Sequence, residues 1–155
     1  SILSLDVTFH PCPKKGLRSR VRIKEKYGDD TTFPVMVDPN TGIELFESDD
    51  ILAYLFKTYG DGVVPNTLSR DNVLVQLSCA LGLLPRFNRG LQAKYSNPPS
   101  LPLTLYSYEG SPFCKVVREI LTELELIHTQ VSCPRGSLNR QRLYETKGRF
   151  QAPYL

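Results

Sequence analysis

The sequence lacks several features that define common classes of small protein. It has no Cys-x-x-Cys pair and only two histidines, so the spacing of a zinc-ligand motif is not present. It has no run of five Lys or Arg residues, and its 19 basic and 16 acidic residues nearly balance. Its longest apolar stretch, around LSCALGLL, is far shorter than the roughly 20 residues that span a bilayer. Neither a metal site, nor nucleic-acid binding, nor a transmembrane segment is therefore predicted.

What is present is typical of a globular protein. Hydrophobic residues make up 41% of the 155 residues and charged residues 23%, and this length suits one ordinary domain or two small ones. Four separated cysteines, without the density of a disulfide scaffold, favour a reducing compartment. Because the chain begins at Ser1 with no initiator Met and no signal-like segment, we expect a processed product or a fragment.

Two segments of the chain resemble each other. LSLDVTFHPCPKKGLRSRVRIKEKYGDDTTFPVMV aligns with LELIHTQVSCPRGSLNRQRLYETKGRFQAPYL after two one-residue adjustments. The matched positions are Cys12 with Cys133, Pro13 with Pro134, Gly28 with Gly148 and Pro34 with Pro153. Each segment has an extended run, a Cys-Pro break, a polar helix and an apolar run with a proline. We infer two copies of one supersecondary unit, in which Cys12 and Cys133 have a structural role at a strand end.

The segment that follows the first copy predicts a hairpin and a helix. DPNTG is a turn sequence between the strands VMV and IELF. ESDDILAYLFKTYG has Ser48 at the expected N-cap, Asp49 and Asp50 in the first turn, and Gly60 after the last turn. The first half is thus predicted as strand, helix, strand, strand, helix.

The second copy is preceded by a strand and the strongest helix signal in the chain. LTLYSY alternates as a strand does, and Ser111 and Pro112 then occupy the N-cap and first helical positions. Apolar residues at helical spacing predict a buried stripe formed by Phe113, Val116, Val117, Ile120, Leu121 and Leu124. The second half is predicted as strand, helix, strand, helix, strand.

We predict an α/β fold of two tandem units, each incomplete. Residues 1–62 form the first unit, which lacks its opening strand and most of its first helix. Residues 63–100, which include SNPPSLP, form a helical and Pro-rich linker. Residues 101–155 form the second unit, which lacks its closing hairpin and helix.

These motifs carry a resemblance to a known family. LYSYEGSPFCKVVREILTELEL, CPRGS, the proline of FQAPYL, and DPNTGIELFESDDILAYL resemble the thioredoxin-fold N-terminal domain of glutathione S-transferases. More closely, they resemble a tandem family of photosynthetic eukaryotes, generally plastid-targeted, in which two such domains follow one another. The resemblance implies four strands and three helices per unit, a cis-proline facing the first helix, and a chloroplast location, with the cytoplasm as the alternative.

The resemblance also implies a set of glutathione contacts. They are Phe33, Pro34, Glu47, Ser48, Ala152 and Pro153. The cis-prolines would expose the preceding backbone to the cysteinyl part of glutathione, and the alternative is that they are ordinary strand-edge prolines. The Glu-Ser pair would hold the γ-glutamyl carboxylate at a helix N-terminus, and the alternative is that Ser48 only caps its own helix.

Ser-Pro-Phe-Cys differs by one residue from the Cys-Pro-Phe-Cys type of thiol-disulfide motif. Ser111 has three interpretations: an N-cap, a transferase serine that hydrogen-bonds a glutathione thiolate, or a partner of a redox-active Cys114. Cys114 itself is either a reactive thiol near Lys115 and Arg118 or a small buried residue. Neither copy contains both this motif and the Glu-Ser helix.

Three functions follow from the resemblance and these departures from it. The first is a non-catalytic or weakly active thioredoxin-like module that binds protein partners, within a plastid photosynthetic complex. The alternatives are a glutathione-dependent transferase that uses Ser111, and a glutaredoxin-like monothiol protein that uses Cys114. Glutathione is the candidate ligand of both alternatives.

Overall fold

The computed structural model describes residues 3–65, 68 and 91–155. In chain order the elements are β1 (Val7–Phe9), α1 (Ser19–Tyr27), β2 (Met36–Asp38), β3 (Ile43–Leu45), α2 (Ser48–Tyr59), β4 (Leu103–Ser107), α3 (Pro112–Glu123), β5 (His128–Ser132) and α4 (Leu138–Lys147). This order confirms the mixed α/β prediction, except that the last predicted strand is reduced to one bridge, at Tyr154.

The chain divides into two compact units, which we call the sheet unit and the hairpin unit. The sheet unit is Ser1–Arg22 with Arg89–Leu155, and the hairpin unit is Ile23–Asn88. The tandem organisation, with its boundaries at 62 and 100, stays a prediction. Most of the predicted helical part of the linker, including Cys79, lies outside the described residues.

A three-stranded sheet in the order β1, β5, β4 forms the centre of the sheet unit. Strands β4 and β5 are parallel, in a register that runs from Leu103 opposite His128 to Ser107 opposite Ser132. Strand β1 pairs antiparallel with the free edge of β5. Because Tyr154 bridges Tyr106 on the other side of β4, that strand is flanked on both sides.

The buried apolar side chains of the sheet unit come from both strands and helices. Among the residues of this unit that the structure describes, the buried apolar ones are Leu105, Cys114, Leu121, Cys133 and Leu143. Cys114 and Leu121 lie seven residues apart and therefore on the same side of α3.

The predicted buried stripe of α3 is wrong in part. Leu121 is buried and Val117 and Leu124 are half-buried, but Phe113, Val116 and Ile120 are exposed. The first turn buries Cys114 instead of Phe113, so the face of α3 that packs on the sheet begins one residue later than the predicted stripe. The helix therefore presents an apolar row to its outer side.

In the hairpin unit, β2 and β3 pair antiparallel across the predicted DPNTG turn. The buried carboxylate of Asp38 anchors this turn, since it accepts hydrogen bonds from the Tyr54 and Tyr59 hydroxyls at 2.6 Å each and from the Asn40 backbone at 2.9 Å. The bonds from Tyr54 and Tyr59 hold the pKa of Asp38 well below its usual range.

Helix α2 begins one residue earlier than the sequence predicted. The N-cap is Glu47, whose backbone is extended, and Ser48 is the first helical residue. The Glu47 carboxylate accepts a hydrogen bond from the Thr32 hydroxyl at 3.1 Å, and no side chain caps the helix. Ser48 therefore does not have the cap role that its residue type favours.

Among the described residues, no helix has the length and apolar character needed to cross a membrane. The same part of the chain contains no group of three or more His, Cys, Asp or Glu residues that could hold a metal ion.

Candidate functional site

Ser111 lies at the carboxyl end of β4, where the chain turns into α3. Its hydroxyl accepts a hydrogen bond from the Cys114 backbone N–H at 3.2 Å, and Pro112 follows at the first helical position. This geometry confirms the predicted N-cap. The residue is only 3% exposed, so its hydroxyl is committed to the helix and shielded from solvent.

Cys114 lies in the first turn of α3 and is 0% exposed. A second buried thiol, Cys133, follows β5, and its backbone N–H donates to the Ser107 carbonyl at 2.8 Å. Burial raises the pKa of Cys133 to about 11, with further contributions from Asp6 and Cys114. That thiol is therefore protonated at neutral pH and is a poor nucleophile.

The Ala152–Pro153 peptide bond is cis. The antiparallel bridge between Tyr106 and Tyr154 places this dipeptide next to the carboxyl end of β4. Beyond this bridge, the ring centroids of Tyr108 and Phe150 lie 6.3 Å apart, so the two segments stay close together past the end of β4. The structure thus brings Ala152 and Pro153 to the end of the sheet at which Ser111 begins α3.

The other predicted contacts belong to the hairpin unit. The Phe33–Pro34 bond is also cis, and the bond from Thr32 to Glu47 holds this dipeptide near the start of α2. Phe33, Pro34, Glu47 and Ser48 therefore form one set, and Ser111, Cys114, Ala152 and Pro153 form another. Each compact unit contains one set, and whether any of these residues bind glutathione stays a prediction.

Sequence reasoning missed a row of buried polar side chains on β5. His128, Gln130 and Ser132 alternate along the strand and are all buried. The Gln130 amide donates to Glu109 at 3.5 Å, and Glu109 also pairs with Arg118 of α3. Polar residues at alternate positions normally predict a solvent-facing side of a strand, so the sequence pattern pointed to the wrong face.

The Glu109 carboxyl is influenced by two opposing effects. Burial raises its pKa, but the hydrogen bond and the positive charge of Arg118 outweigh burial, and the net pKa is lowered. The ion pair therefore forms at neutral pH and positions the side chain of Arg118 near the polar row.

His128 is the one titratable side chain of that row. Its Nδ1 is 2.9 Å from the Leu126 carbonyl oxygen, and its ring stacks on Phe9 with centroids 5.7 Å apart. Burial lowers its pKa below the usual value of 6.5; the bond to Leu126 opposes this shift and the charge of Arg118 reinforces it. The folded protein therefore favours the neutral imidazole.

We expect the stability of the chain to fall with decreasing pH because of His128. Below about pH 6.5 the unfolded chain binds more protons than the folded chain, so the free energy of unfolding decreases by at most about 1.4 kcal/mol per pH unit. Urea unfolding between about pH 5 and pH 8, where histidine titrates, measures this slope. His128→Gln should flatten it, and equal slopes in the variant and the wild type would contradict the assignment.

Two surface hollows border α4. One is lined by Leu143, Lys147, Arg149, Gln151 and Tyr154, and the other by Gly136, Ser137, Arg140, Gln141, Tyr144 and Phe150. In the second, the Arg140 guanidinium lies over the ring of Phe150, with its Cζ atom 3.6 Å from the ring centroid. None of the predicted site residues lines either hollow.

Comparison with known proteins supports the fold in the second half of the chain. Residues 105–155 match the family model of the glutathione S-transferase N-terminal domain. This part of the chain is therefore similar to a thioredoxin-like domain of that type. No curated protein and no solved structure matches the chain. The glutathione S-transferase-like region begins in β4 and includes α3, β5, α4 and Pro153, so it covers the predicted residues of the sheet unit.

Proposed function

We propose that this chain is a non-catalytic binding module built on a thioredoxin-like domain of the glutathione S-transferase N-terminal type. The observation that carries the proposal is the burial of both candidate catalytic side chains. A transferase serine must reach the sulfur of glutathione, and a redox cysteine must reach a disulfide. Ser111 is 3% exposed and Cys114 is 0% exposed, which supports a structural role for both.

The apolar row on the outer side of α3 supports the binding of a protein partner. Phe113 is 73% exposed, and Val116 and Ile120, three and seven residues further on, are also exposed. Residues at this spacing lie on one face of a helix. Exposed contiguous apolar surface of this kind marks interaction sites in folded proteins. We propose that a partner protein covers this row with an apolar surface of its own.

We also propose that the two similar segments are copies of one unit, because they repeat the same local bonds. The Cys12 and Cys133 thiols each donate to the carbonyl two residues earlier, at 3.3 and 3.5 Å. Gly28 and Gly148 each have positive φ, and each N–H donates at 2.8 Å to the carbonyl four residues earlier. The alignment pairs these same residues, and the tandem family of photosynthetic eukaryotes remains our proposed assignment.

A chloroplast location and membership of a plastid complex are part of this proposal. Their support is the resemblance to the tandem family, and the apolar row of α3 is the surface by which such a complex would be joined.

A glutathione-dependent transferase that uses Ser111 is the second candidate function. The match to the glutathione S-transferase N-terminal domain and the position of Ser111 at the same end of the sheet as Ala152 and Pro153 favour it. This candidate requires the Ser111 hydroxyl to leave the Cys114 N–H and turn to a ligand. A glutaredoxin-like role for Cys114 requires a larger change, since the whole side chain is enclosed.

A thermal-shift experiment with glutathione distinguishes the first two functions. A ligand present at 100 times its dissociation constant adds about 2.7 kcal/mol to the stability of the folded state. We expect millimolar glutathione to leave the melting temperature of the wild-type chain unchanged. Ser111→Ala should lower stability by about 0.5–2 kcal/mol through loss of the N-cap, with or without glutathione. A stabilisation by glutathione that Ser111→Ala abolishes would instead establish the transferase site.

Alkylation of cysteines in the wild-type chain tests the glutaredoxin-like role of Cys114. We expect Cys114 to resist a thiol reagent in the folded chain and to react fully in urea, as measured by peptide mass spectrometry. Cys12, which is half-buried, provides the internal comparison. Rapid labelling of Cys114 in the folded state would support a redox role.

A further inference from the structure

The sheet unit is assembled from two parts of the chain that are far apart in sequence. Residues 3–22, which we call the N-terminal segment, belong to the sheet unit together with residues from Arg89 onward. The chain between them, Ile23–Asn88, belongs to the hairpin unit. No short loop therefore connects the N-terminal segment to the surface on which it lies.

Backbone pairing holds the N-terminal segment at two places. In β1, Thr8 pairs with Thr129 of β5, and their hydroxyl oxygens are 3.2 Å apart. Further along the segment, the Lys14 N–H donates to the Leu91 carbonyl at 2.7 Å, and the Ala93 N–H donates to the Lys14 carbonyl at 3.1 Å. These bonds fix the register of the segment against the rest of the unit.

Side chains add specific polar contacts near the end of the segment. The backbone N–H groups of Leu17 and Arg18 donate to the buried Glu125 carboxylate at 2.9 and 3.2 Å. The Arg18 guanidinium donates to the Ser96 hydroxyl at 3.0 Å and to the Leu124 carbonyl at 3.3 Å. Directed bonds of this kind select one partner sequence in one orientation.

Strand β1 buries little of its own side-chain surface. All three residues of β1 are exposed, although the Phe9 ring stacks on His128. The edge of β5 beneath it offers unpaired backbone groups whenever β1 departs, and an open strand edge accepts a strand from another chain. The bonds described above are the same whether the segment comes from the same chain or from another copy.

We propose that the edge of β5 and the Glu125 carboxylate form a docking surface for the N-terminal segment of a second copy of this chain. Two copies exchange their segments reciprocally, and each sheet unit is then completed by its partner. Exchange of an identical element between copies creates no new interface and is therefore a low-cost route to a dimer. The surface is distinct from the apolar row of α3, so each proposal can fail independently of the other.

Mixing two variants that each add one cysteine to the native four tests the exchange in the full chain. Thr8→Cys and Thr129→Cys are prepared separately, mixed at about 1 mM, which is comparable to the effective concentration given by a short flexible tether, and oxidised mildly. Because these side chains face each other, a disulfide between the two chains forms only if the segment of one copy lies on β5 of the other. We expect a disulfide-linked dimer on a non-reducing gel, with the bond mapped to positions 8 and 129.

In the matched control, the Thr8→Cys variant is mixed with a Thr104→Cys variant in place of the Thr129→Cys variant. Thr104 pairs with Thr129 from the other side of β5, so it lies on the same sheet but is not adjacent to Thr8. This mixture, and each variant alone, should give only background dimer. The double variant Thr8→Cys with Thr129→Cys in one chain shows whether the pair forms. The proposal is wrong if the double variant links within one chain while the mixture gives no dimer, and equally if neither links.

Discussion

Leu105→Ala should destabilise the chain by about 2–5 kcal/mol, the largest effect that we expect from a single substitution. Leu105 is fully buried in β4, which is flanked by β5 on one side and by Tyr154 on the other. Removal of three carbon atoms there leaves a cavity, and β4 cannot move to fill it because backbone hydrogen bonds hold the strand on both sides. Urea unfolding followed by circular dichroism measures the change in midpoint.

Thr104→Ala is the control for this prediction. Thr104 is the preceding residue of the same strand and is exposed, so we expect a change of about 0.5 kcal/mol or less. The slope of the free energy against urea concentration should be similar in both variants. Equal losses for Leu105→Ala and Thr104→Ala would contradict the assignment of Leu105 to the core.

Glu125→Gln should destabilise the chain by about 1–3 kcal/mol. The buried Glu125 carboxylate uses both oxygens to accept the N–H groups of Leu17 and Arg18, directly before α1. An amide has a single acceptor oxygen, so one backbone N–H would face the amide NH₂ and remain unpaired. Glu125 has a φ of +50°, and Gln leaves this backbone conformation unchanged. Glu145→Gln, at an exposed position of α4, is the matched control.

A double-mutant cycle with Gly16 tests the same contact from the other side. A Cβ atom on Gly16 would lie 2.5 Å from Glu125 Oε1 and 3.0 Å from the Pro13 carbonyl oxygen. Gly16→Ala should therefore displace the carboxylate and destabilise the wild-type chain, but it should cost less when Glu125→Ala has already removed that side chain. Additive losses would show that Gly16 does not act through Glu125.

The two polar helices obtain their first hydrogen-bond acceptors in different ways. Ser137 caps α4, since its hydroxyl accepts the Arg140 N–H at 3.2 Å. For the N–H groups of Leu17 and Arg18, directly before α1, Glu125 provides the acceptor from a distant part of the sequence. The sequence predicts the polar helix of the first copy, but it does not predict that Glu125, from the second half of the chain, accepts these hydrogen bonds.

Local chemistry was enough to predict several elements. The cap at Ser111 and the Pro112 that follows it are properties of neighbouring residues, and the structure has both. The DPNTG turn likewise needs only its own residues, and β2 and β3 pair across it. The prediction of Ser48 as an N-cap was wrong by one residue, because several N-cap and first-turn residue types are adjacent at that point.

Burial was harder to predict than secondary structure. The spacing of apolar residues correctly predicted that α3 is amphipathic, but it could not show which of those residues pack on the sheet and which are exposed. Cys114 and Leu121 face inward while Phe113 does not. On β5, no pattern in the sequence distinguishes the buried His128 and Gln130 from polar residues that face solvent, and their burial depends on the tertiary structure.

The sequence alone determined the order of strands and helices, the turn and cap residues, and the similarity of the two segments, because each depends on residues that are close along the chain. The tertiary structure alone decided that β1 completes the sheet of the second half, that Glu125 supplies the acceptor for the start of α1, and that Ser111 and Cys114 are enclosed. Two of these features depend on contacts between residues far apart along the chain, 121 positions for Thr8 with Thr129 and 108 for Leu17 with Glu125. Such contacts cost loop-closure entropy and are selected by packing rather than by local propensity.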